Sequence, residues 1–125
     1  MDFSILIPDK FILGSYKFEK HTDVIICVAP RNEVPCAPIA DHNFPISLLQ
    51  SDEVSLQNLL LAVEKCIEYL KQNKSVYLHC ILGHNRSATV AVLVIEKFFN
   101  ISRIEAIEYV SARRHIYIKK HMALL

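Results

Sequence analysis

The sequence predicts a single α/β domain spanning residues 1–125, with a central, mainly parallel twisted sheet of about four to five strands flanked by helices. Three observations carry this. Short β-branched runs alternate with longer amphipathic stretches along the chain. The run VIICV at 24–28 is apolar without alternation, as in a strand covered on both faces. The 125 residues, 52% hydrophobic and 22% charged, suffice for one core and are too few for two.

The elements follow in order. Phe3 to Ile7 and Phe11 to Leu13, separated by Pro8-Asp9-Lys10, read as a hairpin. Val24 to Val28 is the buried strand, and a short extended segment is expected at Phe44 to Ile46. Ser51 to Asn73 is the clearest helix, because Leu56, Leu59, Leu60, Val63, Cys66, Ile67 and Leu70 recur at three and four residues. Ser51, Asp52 and Glu53 supply a cap and negative charge at its start. Val76 to Leu78 is the next strand.

ATVAVLVI, at 88–95, reads as a strand by propensity. A helix from about Arg86 fits better, because it aims free backbone N–H groups back into the polar loop before it. Apolar all round, it is the expected central helix. Ser102 to Arg114 reads as an amphipathic helix with Ser102 and Glu105 as a capping box and Ile104, Ile107 and Val110 inward. One more short helix is expected in the tail IYIKKHMALL.

Composition narrows the function. A formal charge of +1 argues against DNA or membrane binding by bulk electrostatics, so any anion selectivity must be local. No run approaches the ~18 to 20 apolar residues that span a bilayer, and MDFSILIPDK does not read as a signal peptide. Cys27, Cys36, Cys66 and Cys80 form no CxxC pair, which fits reduced thiols in a cytoplasmic compartment, with Cys27 and Cys66 in the core. His21, His42, His115 and His121 read as surface residues, and Lys119-Lys120 as a solvated helix face.

The chemistry concentrates in HCILGHNRSAT, residues 79–89, a loop at a strand end where α/β sheets bind ligands. A thiol there, facing a helix N-terminus and Arg86, favours the thiolate. Five intervening residues let the chain circle back, so that the N–H groups of Ile81, Leu82, Gly83, His84, Asn85 and Arg86 converge on a tetrahedral anion. The Arg86 guanidinium can fork onto two of its oxygens. Gly83 supplies backbone freedom within the ring. A zinc site built from His79, Cys80 and His84 lacks a fourth ligand at the usual spacing.

His79-Cys80, five residues, then Arg86-Ser87 resembles the signature of the cysteine-dependent protein tyrosine phosphatases, and the extended loop resembles their compact dual-specificity branch. Phe11-Ile12-Leu13-Gly14-Ser15, Phe44-Pro45-Ile46 and Arg113-Arg114 are similar to other segments of that branch, so the resemblance covers nearly the whole chain. It implies hydrolysis of phosphotyrosine and of phosphoserine or phosphothreonine in phosphorylated proteins, with no cofactor and no metal. Cys80 would be the nucleophile and Arg86 the phosphoryl clamp. Ser87 would hydrogen-bond the sulfur, and His79 would order the loop from behind.

Two departures stand out. The branch carries an aspartate general acid at the register that Leu48 occupies here. Asp52, equally a helix-start residue, is the expected acid, and Asp41, on the far side of Pro45, is the weaker candidate. Asn85 before Arg86 is similar to the RNA 5′-triphosphatase branch, which also dispenses with that aspartate. Such an activity would call for more basic surface than +1 offers. A phosphate reader that binds oxyanions without turnover is a further alternative.

Overall fold

The computed structural model describes residues 3–17, 22–33, 40–47 and 53–118. Strands β1 (Phe3–Ile7) and β2 (Phe11–Gly14) form the expected antiparallel hairpin, with Asp9 in the left-handed region at φ 62°. Strands β3 (Val24–Cys27), β4 (His42–Asn43) and β5 (Val76–His79) complete a five-stranded sheet in the order β1-β2-β5-β3-β4. All pairings other than the hairpin are parallel, and β5 lies between β2 and β3. All four residues of β5 are buried, as its central place requires. The carboxyl ends of the parallel strands are level: Gly14 and Cys27 both pair with His79. The loop that leaves β5 therefore starts where three strands stop.

Helix α1 spans Glu53–Lys71, α2 Arg86–Phe98 and α3 Arg103–Ser111, and α2 packs against both of the others. The ATVAVLVI segment is helical because packing outweighs propensity. Every residue from Arg86 to Ile95 is buried. A fully buried Val, Leu or Ile contributes about 1.5–3 kcal/mol, whereas a β-branched residue costs a helix at most about 0.7 kcal/mol relative to Ala. Ser102 caps α3 in the expected reciprocal box with Glu105.

Several expectations need correction. In α1 the buried face is Ser55, Leu59, Ala62, Val63, Cys66 and Leu70, whereas Leu60 is exposed. Leu59, Leu60 and Leu61 are consecutive, so they fan through about 200° and only one faces the core. Ser55 takes an inward position because its hydroxyl accepts from Ser47 N at 2.9 Å. In α3, Ile104 is 70% exposed, since Ala106 and Val110 define the inward face and Ile104 stands about 200° from Ala106. The extended segment forms at His42–Asn43 rather than at 44–46, although Phe44 N and Ile46 N still bond Cys27 O and Val28 O. His42 is half-buried, its Nε2 2.6 Å from Tyr69 Oη. Residues 115–118 are not helical, for a reason that belongs to the loop described next; the rest of the tail, Leu48, Asp52, Cys36, His21 and His121 lie outside the described residues. Among the described residues no helix is long and apolar enough to cross a membrane.

Candidate active site

The loop from Cys80 to Asn85 joins the buried end of β5 to the first turn of α2, and its main-chain carbonyls explain its shape. His79 O accepts from Val28 N at 2.9 Å, and Cys80 O from His79 Nδ1 at 2.9 Å. Ile81 O accepts from Tyr16 N, Leu82 O from Arg114 Nη2 and Gly83 O from Arg114 Nε, at 2.9, 2.6 and 2.8 Å. His84 O accepts from Tyr117 N at 2.5 Å, and Asn85 O from Thr89 N and Oγ1. Every carbonyl from 79 to 85 is thus held by the surrounding scaffold. Among the described residues there are no cis peptides, and in a trans peptide the N–H of the next residue points opposite to the carbonyl. Pulling the carbonyls outward turns the following amides inward, which makes a cradle for an anion.

The sulfur sits in the same field. Cys80 lies against its own loop, with Sγ 3.1 Å from Ser87 Oγ. Burial, the largest influence, raises the thiol pKa. The Ser87 hydroxyl, the Ser87 and Gly83 N–H groups and the Arg86 charge together outweigh it and hold the thiol below its ordinary value. Cys66 is the contrast: burial without donors pushes its thiol far up. Gly83 sits at φ 75°, and a Cβ there would lie 2.4 Å from Gly14 O. A side chain would therefore push the cradle off the end of β2 as well as strain its backbone.

Arg86 is 3% exposed, so its charge needs partners. Nη1 donates to Ile46 O at 3.0 Å and Nη2 to Glu33 Oε1 at 3.1 Å. Glu33 ends a short 3-10 turn, Arg31–Glu33, after β3. Two of the five guanidinium N–H groups are thereby used to fix the plane, and the others can fork onto phosphoryl oxygens. His79 is fully buried; burial pushes its pKa down, partly offset by its bond to Cys80 O. Its Nε2 has no hydrogen-bond partner among the described residues.

The cradle opens into a cavity of about 270 Å³ lined by Cys80, Ile81, Leu82, His84, Asn85, Arg86 and Tyr117.

The family model for the dual specificity phosphatase catalytic domain matches residues 16–125. The chain belongs to this family. It is a cysteine-dependent phosphatase. Solved structures agree on the fold. The Cydia pomonella PTP-2 phosphatase is 21% identical with a TM-score of 0.73, covering 99% of this chain and 88% of that one. Tk-PTP in its active form is 18% identical at 0.80, covering 98% and 92%. Human DUSP28 is 17% identical at 0.77, covering 95% and 86%. The chain has no significant match among curated proteins.

In this loop the structure brings together Cys80, Ile81, Leu82, Gly83, His84, Asn85, Arg86 and Ser87, with His79 behind them. Asp41 does not line the cavity: its Oδ2 accepts from Ile25 N at 2.8 Å, near the amino end of β3. Three residues escaped the sequence reading. Arg114, 8% exposed, holds two cradle carbonyls and also donates to Ser4 Oγ. The Arg113-Arg114 resemblance was its only signal. Glu33 had none, being 53 residues from Arg86. Tyr117 was assigned to a tail helix, but the bonds that tie 115–117 to His84 leave that backbone unable to coil.

Proposed function

We propose that this phosphatase hydrolyses phosphotyrosine, and phosphoserine and phosphothreonine, in phosphorylated proteins through a phosphocysteine intermediate. The observation that supports this best is Cys80, with its lowered pKa, at the centre of a loop whose carbonyls are all engaged outward. In the first step the Cys80 thiolate attacks phosphorus. The inward amides and Arg86 meet the charge on the equatorial oxygens, and the leaving oxygen departs with a proton. In the second step water attacks the phosphocysteine and the thiolate leaves, eased by the Ser87 hydroxyl 3.1 Å away. Asp52, the carboxylate expected from the sequence to give that proton, lies outside the described residues.

The apolar and aromatic lining supplied by Ile81, Leu82 and Tyr117 favours an organic group beside the phosphate, and a net charge of +1 offers little for an RNA chain. A substrate panel tests the reading. Aryl phosphate and phosphotyrosine peptides are expected to turn over fastest, phosphoserine and phosphothreonine peptides more slowly, and RNA 5′-triphosphate least. Preferential release of phosphate from RNA 5′-triphosphate would replace this assignment with the triphosphatase one. Oxyanion binding without any turnover would make the protein a phosphate reader.

A further inference from the structure

We propose that His84, on the cradle itself, is the proton donor to the leaving group, and that its Nε2 is the atom that carries the proton. This rests on the phosphatase reading above and names a catalytic residue within it. Among the described residues, the titratable side chains lining the cavity apart from Cys80 and Arg86 are His84 and Tyr117. His84 Nδ1 lies 2.6 Å from His115 O. A carbonyl can only accept, so Nδ1 must carry a hydrogen whatever the charge of the ring. Nε2 is therefore the nitrogen that gains and loses a proton, on the side of the ring away from His115 O. A second bond, Tyr117 N to His84 O at 2.5 Å, pins the same residue through its main chain. A ring fixed at one nitrogen by an acceptor, on a residue that lines the reaction cavity, is the arrangement expected of a general acid and base.

The proton balance closes. As the sulfur–phosphorus bond forms and the phosphorus–oxygen bond breaks, the Nε2 proton passes to the leaving oxygen, giving the alcohol and neutral His84. In the second step Nε2 accepts a proton from the attacking water, the sulfur–phosphorus bond breaks, and phosphate and the imidazolium result. No carboxylate at the register of Leu48 is then required.

The groups around His84 that carry charge or titrate are Cys80 and Arg86 in the cavity, the rings of His115 and Tyr117 at 6.3 and 6.1 Å, and Arg114 on the neighbouring carbonyls. The test compares an activated aryl phosphate with a phosphoserine peptide across pH, in wild type, His84→Gln, Asp52→Asn and His115→Gln. General acids contribute about 10²- to 10⁴-fold, most for poor leaving groups. His84→Gln is expected to widen the gap between the two substrates by on the order of 10²-fold and to remove the basic limb for the peptide. Asp52→Asn should keep the wild-type ratio, and His115→Gln, which retains the carbonyl, should keep the limb.

An Asp52→Asn variant that widens the gap, or a His84→Gln variant that slows both substrates equally, would overturn the proposal. Should His84→Gln fold poorly, the wild-type profiles still decide: a basic limb equally steep for both substrates contradicts a proton donor. Failure of wild type to hydrolyse either substrate would instead remove the phosphatase reading beneath it.

Discussion

Cys80→Ser protein is expected to lose turnover on every phosphate monoester, by on the order of 10⁴-fold or more in kcat, as when an enzyme's nucleophile is removed. It should fold normally and still bind sulfate or phosphate. The reason is a division of labour. The sulfur supplies the bond to phosphorus, whereas binding comes from amides fixed by carbonyl bonds that the substitution does not touch. A serine hydroxyl would stay protonated in the same field, because its pKa lies far above that of a thiol. Steady-state rates with an aryl phosphate, beside sulfate titration by calorimetry, check both halves. Substantial residual activity in pure Cys80→Ser protein would show that another group attacks phosphorus.

Arg86→Lys is expected to lower kcat/KM by on the order of 10²- to 10³-fold, the scale of losing a preorganised donor at the developing charge. The charge is conserved, but an ammonium cannot hold the plane set by Ile46 O and Glu33 and also fork onto two oxygens. Stability should change less than activity. The ammonium keeps a positive charge next to Glu33, whose side chain is 33% exposed and can be hydrated. Comparing kcat/KM with thermal unfolding separates the two effects. A near-normal rate in Arg86→Lys would mean that the guanidinium does not face the phosphoryl group.

Much of this was legible from the chain. The loop chemistry depends on residues within one heptapeptide and on the strand and helix flanking it, and such local spacing is what a sequence displays. The central helix was readable despite its β-branched content because the polar loop before it demanded a helix N-terminus. What escaped shares one cause. Glu33 and Arg114 serve the site by closing long-range contacts, across 53 residues to Arg86 and 31 to Gly83. No period or motif encodes such pairs. The expected tail helix fails similarly at its start, where two bonds tie residues 115–117 to His84. Leu60 and Ile104 were misassigned because a hydrophobic residue at helical spacing does not reveal which side of the stripe meets the core.

The central claim is that the scaffold makes Cys80 a thiolate by turning amides and Arg86 towards it. The most direct measurement is the rate of Cys80 alkylation by iodoacetate against pH, followed on the Cys80 peptide by mass spectrometry, with and without phosphate. Only the thiolate reacts, so the rate should fall as pH drops through the thiol's own pKa. The account predicts an inflection below the value of about 8.5 for a free thiol, protection by phosphate, and no matching reaction at buried Cys66. An inflection at or above the free-thiol value, indifferent to phosphate, would contradict it.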